Sequence, residues 1–279
     1  MKPTPGTTFL DRILTDARAD LERARAALPE SELLRKLPDA PPVRPFRAAL
    51  EGTFRVIAEI KRRSPSVGAM RSENVEDAPR VYEESALVGA LSILTNSRYF
   101  DMDLTDFARI RSQVRKPVLR KEFILDAYQI LESRVHGADA VLLMANVLSA
   151  TEIAQLHRLV LDLGMDALVE VHTVEEIATL PPGLDLCGIN SRKFRSASGF
   201  VADGSSSSQD FSLEYGAFEL VDLLPPGCLR VAESGIHPGN LAAVRGRFDA
   251  ALIGTSLLRD ERGIAACLAE FEQAAALNP

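Results

Sequence analysis

The sequence predicts an α/β fold, a (β/α)8 TIM barrel preceded by an N-terminal helical extension. Three observations carry that prediction: eight short apolar runs of strand length, helical periodicity between most of them, and a length of 279 residues. Strand and helix alternating through the chain is the pattern of a closed parallel barrel, and such barrels commonly run to roughly 250 residues in one domain. The apolar fraction of 46% supplies a sizeable core, so disorder is not the default.

The extension comes first. Between residues 8 and 28, Leu10, Ile13, Leu14, Ala17 and Leu21 recur at helical spacing among charged residues, which predicts an amphipathic helix. Pro29 interrupts it, residues 31–37 read as a second short helix, and Pro38, Pro41, Pro42 and Pro45 mark a linker before a helical turn at 46–50. Strands are then predicted at 55–60, 90–95, 117–121, 139–144, 167–171, 185–189, 229–233 and 249–253. Helical segments are predicted at 78–88, 104–114, 127–136, 150–163 and 174–180. The whole of 1–279 is expected to be one barrel domain, with residues 8–50 as the extension over its mouth. Two loops stand out. The Ser- and Gly-rich stretch 196–208 reads equally as a surface insertion or a lid, and Tyr99 and Phe100 in loop 96–102 read equally as packing or ligand contacts.

Charge and composition narrow the partners. A net charge of −7 leaves no broad basic surface, so neither nucleic acid nor an anionic membrane is the expected partner, although a local cationic pocket remains open. The first residues lack the apolar core of a signal peptide, and no window approaches the ~20 apolar residues of a membrane span. A cytoplasmic protein is expected, as a monomer or weak homodimer. Cys187, Cys228 and Cys267 are widely spaced without a CxxC pair and read as small core residues. His136, His157 and His237 make no metal-ligand spacing, so neither metal nor cofactor is expected. His172 lies two residues after Glu170 and could reach the mouth, but reads first as a polar loop residue.

Barrels of this kind carry their sites at the C-terminal ends of the strands. Those ends deliver Glu59 and Lys61, Lys121, Glu170, Asn190 and Arg192, Glu233 and Ser234, then Gly254 and Thr255. Side chains at i and i+2 share a strand face, and Glu59, Lys121, Glu170 and Glu233 each follow by two an apolar residue suited to the barrel interior: Ile57, Leu119, Leu168 and Val231. With Lys61 and Arg192 they form a ring of three negative and three positive charges, whose pairing offsets desolvation and suits proton transfer. Small residues at Ser234-Gly235 and Gly254-Thr255 let backbone amides approach an anion where barrels often bind phosphate. Ser64, with Arg62 or Arg63, could complete that pocket.

These pieces together resemble the indole-3-glycerol phosphate synthase family. The resemblance rests on Ile57-Ala58-Glu59-Ile60-Lys61 with Ser64-Pro65-Ser66, Leu94-Thr95 with Tyr99-Phe100, and Val118-Leu119-Arg120-Lys121-Glu122-Phe123. It continues in Leu168-Val169-Glu170-Val171, Gly188-Ile189-Asn190-Ser191-Arg192, Ala232-Glu233-Ser234-Gly235-Ile236 and Ile253-Gly254-Thr255-Ser256. It implies ring closure of 1-(o-carboxyphenylamino)-1-deoxyribulose 5-phosphate to indole-3-glycerol phosphate, with loss of carbon dioxide and water. On that resemblance Lys121 is the general acid of condensation, Lys61 stabilises the substrate carboxylate and developing oxygen charge, and Glu170 serves dehydration. Glu59 and Glu233 hold the lysines and substrate hydroxyls, and Asn190 and Arg192 orient the anilino-carboxylate. Ser64, Gly235, Gly254 and Thr255 grip the phosphate, Ser234 and Phe100 complete the substrate contacts, and the opening helix lies over the mouth.

The chain departs from the family pattern at Asn96, where an acidic residue is common, at Glu122, where Asp is common, at Ala127, where Pro is usual, and at Lys193-Phe194. None of these removes a residue of the ring. A phosphoribosylanthranilate isomerase would instead need a cysteine and an aspartate as its acid-base pair, and the strand ends offer neither. An inactive scaffold barrel would have no reason to bury so much charge.

Overall fold

The computed structural model describes residues 8–192 and 213–276. Lys193, Phe194 and the Ser-rich stretch 196–208, with its lid-or-insertion alternatives, lie outside the described residues.

Eight strands form the closed barrel: β1 (Arg55–Ile60), β2 (Val88–Leu94), β3 (Val118–Lys121), β4 (Ala140–Met144), β5 (Asp166–Val171), β6 (Leu186–Asn190), β7 (Leu229–Glu233) and β8 (Ala250–Ile253). Each pairs in parallel with the next, and β1 closes the ring on β8 through Ile57 opposite Leu252. The period-two alternation sorts the strands' residues into two layers. Ile57, Leu119, Leu168, Val231 and Leu252 fill the barrel, while Val56, Ala58 and Ile60 pack outward against the helices. The inward phase read from the sequence therefore holds, and it is this phase that carries the charged strand ends to the mouth.

The predicted strands agree with these bounds to within a residue or two. The helices differ more. The helix expected from residue 78 begins earlier, as α3 (Ser72–Glu84), with Pro79 inside it. Its first turn is held by buried Asn74, whose amide donates to Leu258 O at 3.2 Å and Asp260 O at 2.9 Å and whose oxygen accepts from Ile264 N at 3.0 Å. This tertiary anchoring goes with the turns that precede residue 78. Loop 96–102 contains a short helix, α4 (Ser97–Phe100), capped by Asn96. Between β1 and α3 two-residue strands, Arg63–Ser64 and Gly68–Ala69, make an unforeseen hairpin.

The extension runs along the whole barrel. Its first helix α1 (Phe9–Ala27) opens with a capping box between Thr8 and Asp11 and buries Phe9, Ile13, Ala17 and Leu21. At the mouth Phe9 meets Tyr99 edge-on at 5.7 Å, and Tyr99 Oη donates to Asp16 at 2.5 Å. Leu21 and Leu33, the latter on α2 (Glu30–Lys36), pack with Tyr128 and Leu131 of α5 (Ala127–Val135) on the barrel flank. The proline-rich linker then carries the chain to the opposite end, where Arg44 N donates to Asp139 at 2.8 Å and Arg47 N to Asp166 at 2.9 Å. Residues 44–50 thus sit at the barrel floor, with Phe46 and Leu50 joining the interior cluster, rather than over the mouth. No helix among the described residues is long and apolar enough to cross a membrane.

Candidate active site

At the C-terminal ends of the strands lies a cavity of about 360 Å³. Its size falls in the range of small-molecule sites. Of the site residues predicted from the sequence, Glu233 and the arginines Arg62 and Arg63 do not line it; Glu233 lies fully buried and reaches the ring from below through Lys121.

The charges are knitted through Glu59. Lys61 pairs with one of its carboxylate oxygens, and Lys121 Nζ lies 3.2 Å from the other and 3.3 Å from Glu233 Oε2. Burial would raise the pKa of Glu59, but the two ammonium groups outweigh it and hold the carboxyl down at about 2. Burial likewise works against the charge on Lys121, yet Glu59, Glu233 and Glu170 together push its pKa up. Lys61 moves the other way: burial lowers its pKa, Lys121 and Arg192 add to the effect, and Glu59 only partly opposes it. Glu233 is pushed well above the carboxylate range, by burial and then by Glu170 beside it, against the pull of Lys121. The two lysines are therefore unequal, one held charged and one inclined to release its proton.

Glu170 is held by Asn190, whose Nδ2 donates to Oε2 at 3.1 Å, and Asn190 Oδ1 in turn accepts from Arg192 N at 3.0 Å. Two glycines make room for the carboxylates. A methyl group on Gly188 of β6 would overlap Glu233 Oε1, and one on Gly254 would overlap Glu59 Oε1. Sequence reasoning assigned Gly254 to an anion and passed over Gly188 as a site residue.

The small residues after β7 and β8 form the other end of the cavity. Ser234 and Gly235 both have φ of 70°, a conformation rare for a serine. Ser256 Oγ donates to Ile236 O at 2.5 Å and ties the two turns together, and Ser64 and Ser66 share a hydrogen bond of 2.9 Å across from them. The expectation that Arg62 or Arg63 completes this pocket is overturned. The Arg62 guanidinium is engaged by Asp106 through two bonds of 2.6 Å, and that of Arg63 donates to the carbonyl of Arg98.

Loop 96–102 divides its two aromatics between the alternatives it left open: Tyr99 packs under α1, while Phe100 lines the cavity. Phe123, Leu142 and Met144 give the cavity an apolar wall that sequence reasoning missed. The signal was present, because Leu142 and Met144 are spaced by two on β4, but that strand ends without a charge. Two departures from the family pattern also meet here. Asn96 Nδ2 donates to Glu122 Oε1 at 3.3 Å, and Thr95 Oγ1 to Glu122 Oε2 at 2.9 Å, so the acidic group and its amide neighbour complement each other.

Comparison with known proteins agrees with the geometry. The family model described as indole-3-glycerol phosphate synthase matches residues 10–267. An indole-3-glycerol phosphate synthase of Micrococcus luteus is 39% identical over 263 residues, covering 90% of this chain and 92% of the relative. One from Campylobacter hominis is 39% identical, covering 95% of this chain and 99% of the relative. Among solved structures, 3-hexulose-6-phosphate synthase from Salmonella typhimurium has a TM-score of 0.54 at 14% identity, covering 80% of this chain and 98% of its own, a likeness of fold. With the family model spanning nearly the whole barrel and its charged strand ends, the chain belongs to the indole-3-glycerol phosphate synthase family.

Proposed function

We infer that the chain closes the indole ring of 1-(o-carboxyphenylamino)-1-deoxyribulose 5-phosphate to give indole-3-glycerol phosphate, carbon dioxide and water, a lyase step of tryptophan biosynthesis. One observation carries the reading: two lysines share Glu59 beside an Asn-held glutamate, all facing one cavity. The reaction makes matching demands. The ring carbon bearing the carboxylate attacks the ketone carbon, and the carbonyl oxygen takes a proton to become a hydroxyl. The carboxylate then leaves as carbon dioxide and its bonding pair returns to the ring. Finally the hydroxyl departs as water, which needs an acid at the oxygen and a base for a substrate proton.

Lys61 is the better donor for condensation because its surroundings loosen its proton. Lys121, held charged chiefly by Glu59, meets the departing hydroxyl. Glu170 takes the substrate proton in that step and returns it to Lys121, whose charge it already favours. This reverses the division implied by resemblance alone, in which Lys121 served condensation. Ser64, Ser234, Gly235, Gly254 and Thr255 receive the phosphate, Arg192 and Asn190 the carboxylate end, and Phe100 with the apolar wall the aromatic ring. A cytoplasmic monomer or weak homodimer completes the reading.

Arginine retains a lysine's charge but does not release its proton, so Lys61→Arg and Lys121→Arg separate the two steps. Lys61→Arg is expected to lose about 10²-fold or more in turnover, the scale of one positioned acid, and to release no burst of carbon dioxide. Lys121→Arg should release carbon dioxide without forming indole. A carbon dioxide burst from Lys61→Arg and none from Lys121→Arg would reverse the assignment.

A further inference from the structure

We propose that His172, clamped from behind by Glu176, is a positioning residue for Glu170, and that this Glu176–His172–Glu170 row fixes the orientation of the carboxylate facing the substrate. The inference rests on the reading of Glu170 as a base. It starts from two buried polar atoms, Glu170 Oε1 and His172 Nε2, neither of which has a hydrogen-bond partner. They face each other at 3.4 Å. Glu170 and His172 are spaced by two at the end of β5, so their side chains leave on the same side. The other ring nitrogen, Nδ1, lies 3.4 Å from Glu176 Oε2, and the same oxygen accepts from His172 N at 2.6 Å. Glu176 is fixed in turn by α6 (Val174–Ala178), whose capping Thr173 Oγ1 accepts from Glu176 N at 3.2 Å.

Both imidazole nitrogens therefore face carboxylate oxygens. A neutral imidazole has one donor and would leave an acceptor against an acceptor, whereas imidazolium donates to both. Burial opposes that charge and Lys121, on β3, opposes it too, but Glu176 and Glu170 prevail and the His172 pKa is raised. The remaining groups around the row are Asn190, on β6, which holds the second oxygen of Glu170, and Glu233, on β7, whose own pKa Glu170 raises. With Asn190 bonded to one oxygen and the imidazolium charge 3.4 Å from the other, Glu170 has little freedom to rotate. When pH rises through the raised pKa of His172 one of those restraints loosens, so the row gives catalysis an alkaline limb of its own.

Two substitutions test this with a pH profile and a KM-against-kcat split. His172→Gln keeps a donor but no titration: kcat is expected to fall about tenfold, a fraction of what a full acid or base contributes, with KM within about twofold and the His172 limb gone. Glu176→Gln touches neither substrate nor Glu170, and removing its charge should move that limb to lower pH. Imidazole NMR on the unaltered protein gives the same titration directly, the His172 signal being the one absent from His172→Gln. A wild-type profile in both variants, or a His172 signal titrating below an ordinary histidine, would overturn the proposal. Glu170→Gln separates the two levels. If it is inactive while His172→Gln behaves as wild type, only the positioning role falls, and if Glu170→Gln turns over normally, the reading of Glu170 falls with it.

Discussion

At the scale of single residues the site depends on carboxylates placed where side chains are missing. Glu233 occupies the space a Cβ on Gly188 would take, and its other oxygen lies 3.3 Å from Lys121 Nζ. Gly188→Ala is therefore expected to displace Glu233 and lower kcat about tenfold or more, while overpacking costs about 1–3 kcal/mol of stability. Steady-state kinetics beside urea unfolding checks both, and an unchanged kcat would show that Glu233 tolerates the methyl group. Glu59 adds a dependence on pH. Its folded pKa is depressed to about 2, so its pairing stabilises the fold above the ordinary carboxylate pKa and is lost as pH falls through about 2. The charged residues were legible in the sequence because a strand's period of two reports which side chains face inward. Gly188 was not, since an absent Cβ leaves no periodic trace, and for His172 the spacing of two from Glu170 was visible while its contact with Glu176 was not.

At the scale of elements, the strands were more legible than the helices. A buried strand announces itself as an apolar run, but α3 begins before residue 78, where Asn74 ties its first turn to a distant part of the chain. The path of residues 38–50 was also hidden, for the prolines mark a linker without saying where it leads. Asp139 is what receives it. Fully buried at the barrel floor, it accepts from Arg44 N and Val118 N, each at 2.8 Å, and lies 3.2 Å from the buried Arg111. Asp139→Ala leaves Arg111 buried without its carboxylate and frees the linker, and is expected to cost about 3–5 kcal/mol. Urea denaturation measures that loss directly, and a cost below about 1 kcal/mol would mean that the floor does not depend on this pair.

At the scale of the whole molecule, the barrel and its extension enclose one reaction space. The strands supply the charges from below, the turns after β7 and β8 close one side, and α1 contributes Ile13 from above. The fold class followed from alternation alone, whereas the coverage of the mouth depends on contacts such as Phe9 on Tyr99 that join segments far apart in sequence. The central claim is that this enclosed set of charges performs a decarboxylating ring closure. Turnover of 1-(o-carboxyphenylamino)-1-deoxyribulose 5-phosphate by the full chain, followed by indole fluorescence, tests it most directly. Indole-3-glycerol phosphate should appear catalytically, with one carbon dioxide released for each indole formed. No indole signal at micromolar enzyme and saturating substrate would contradict the account.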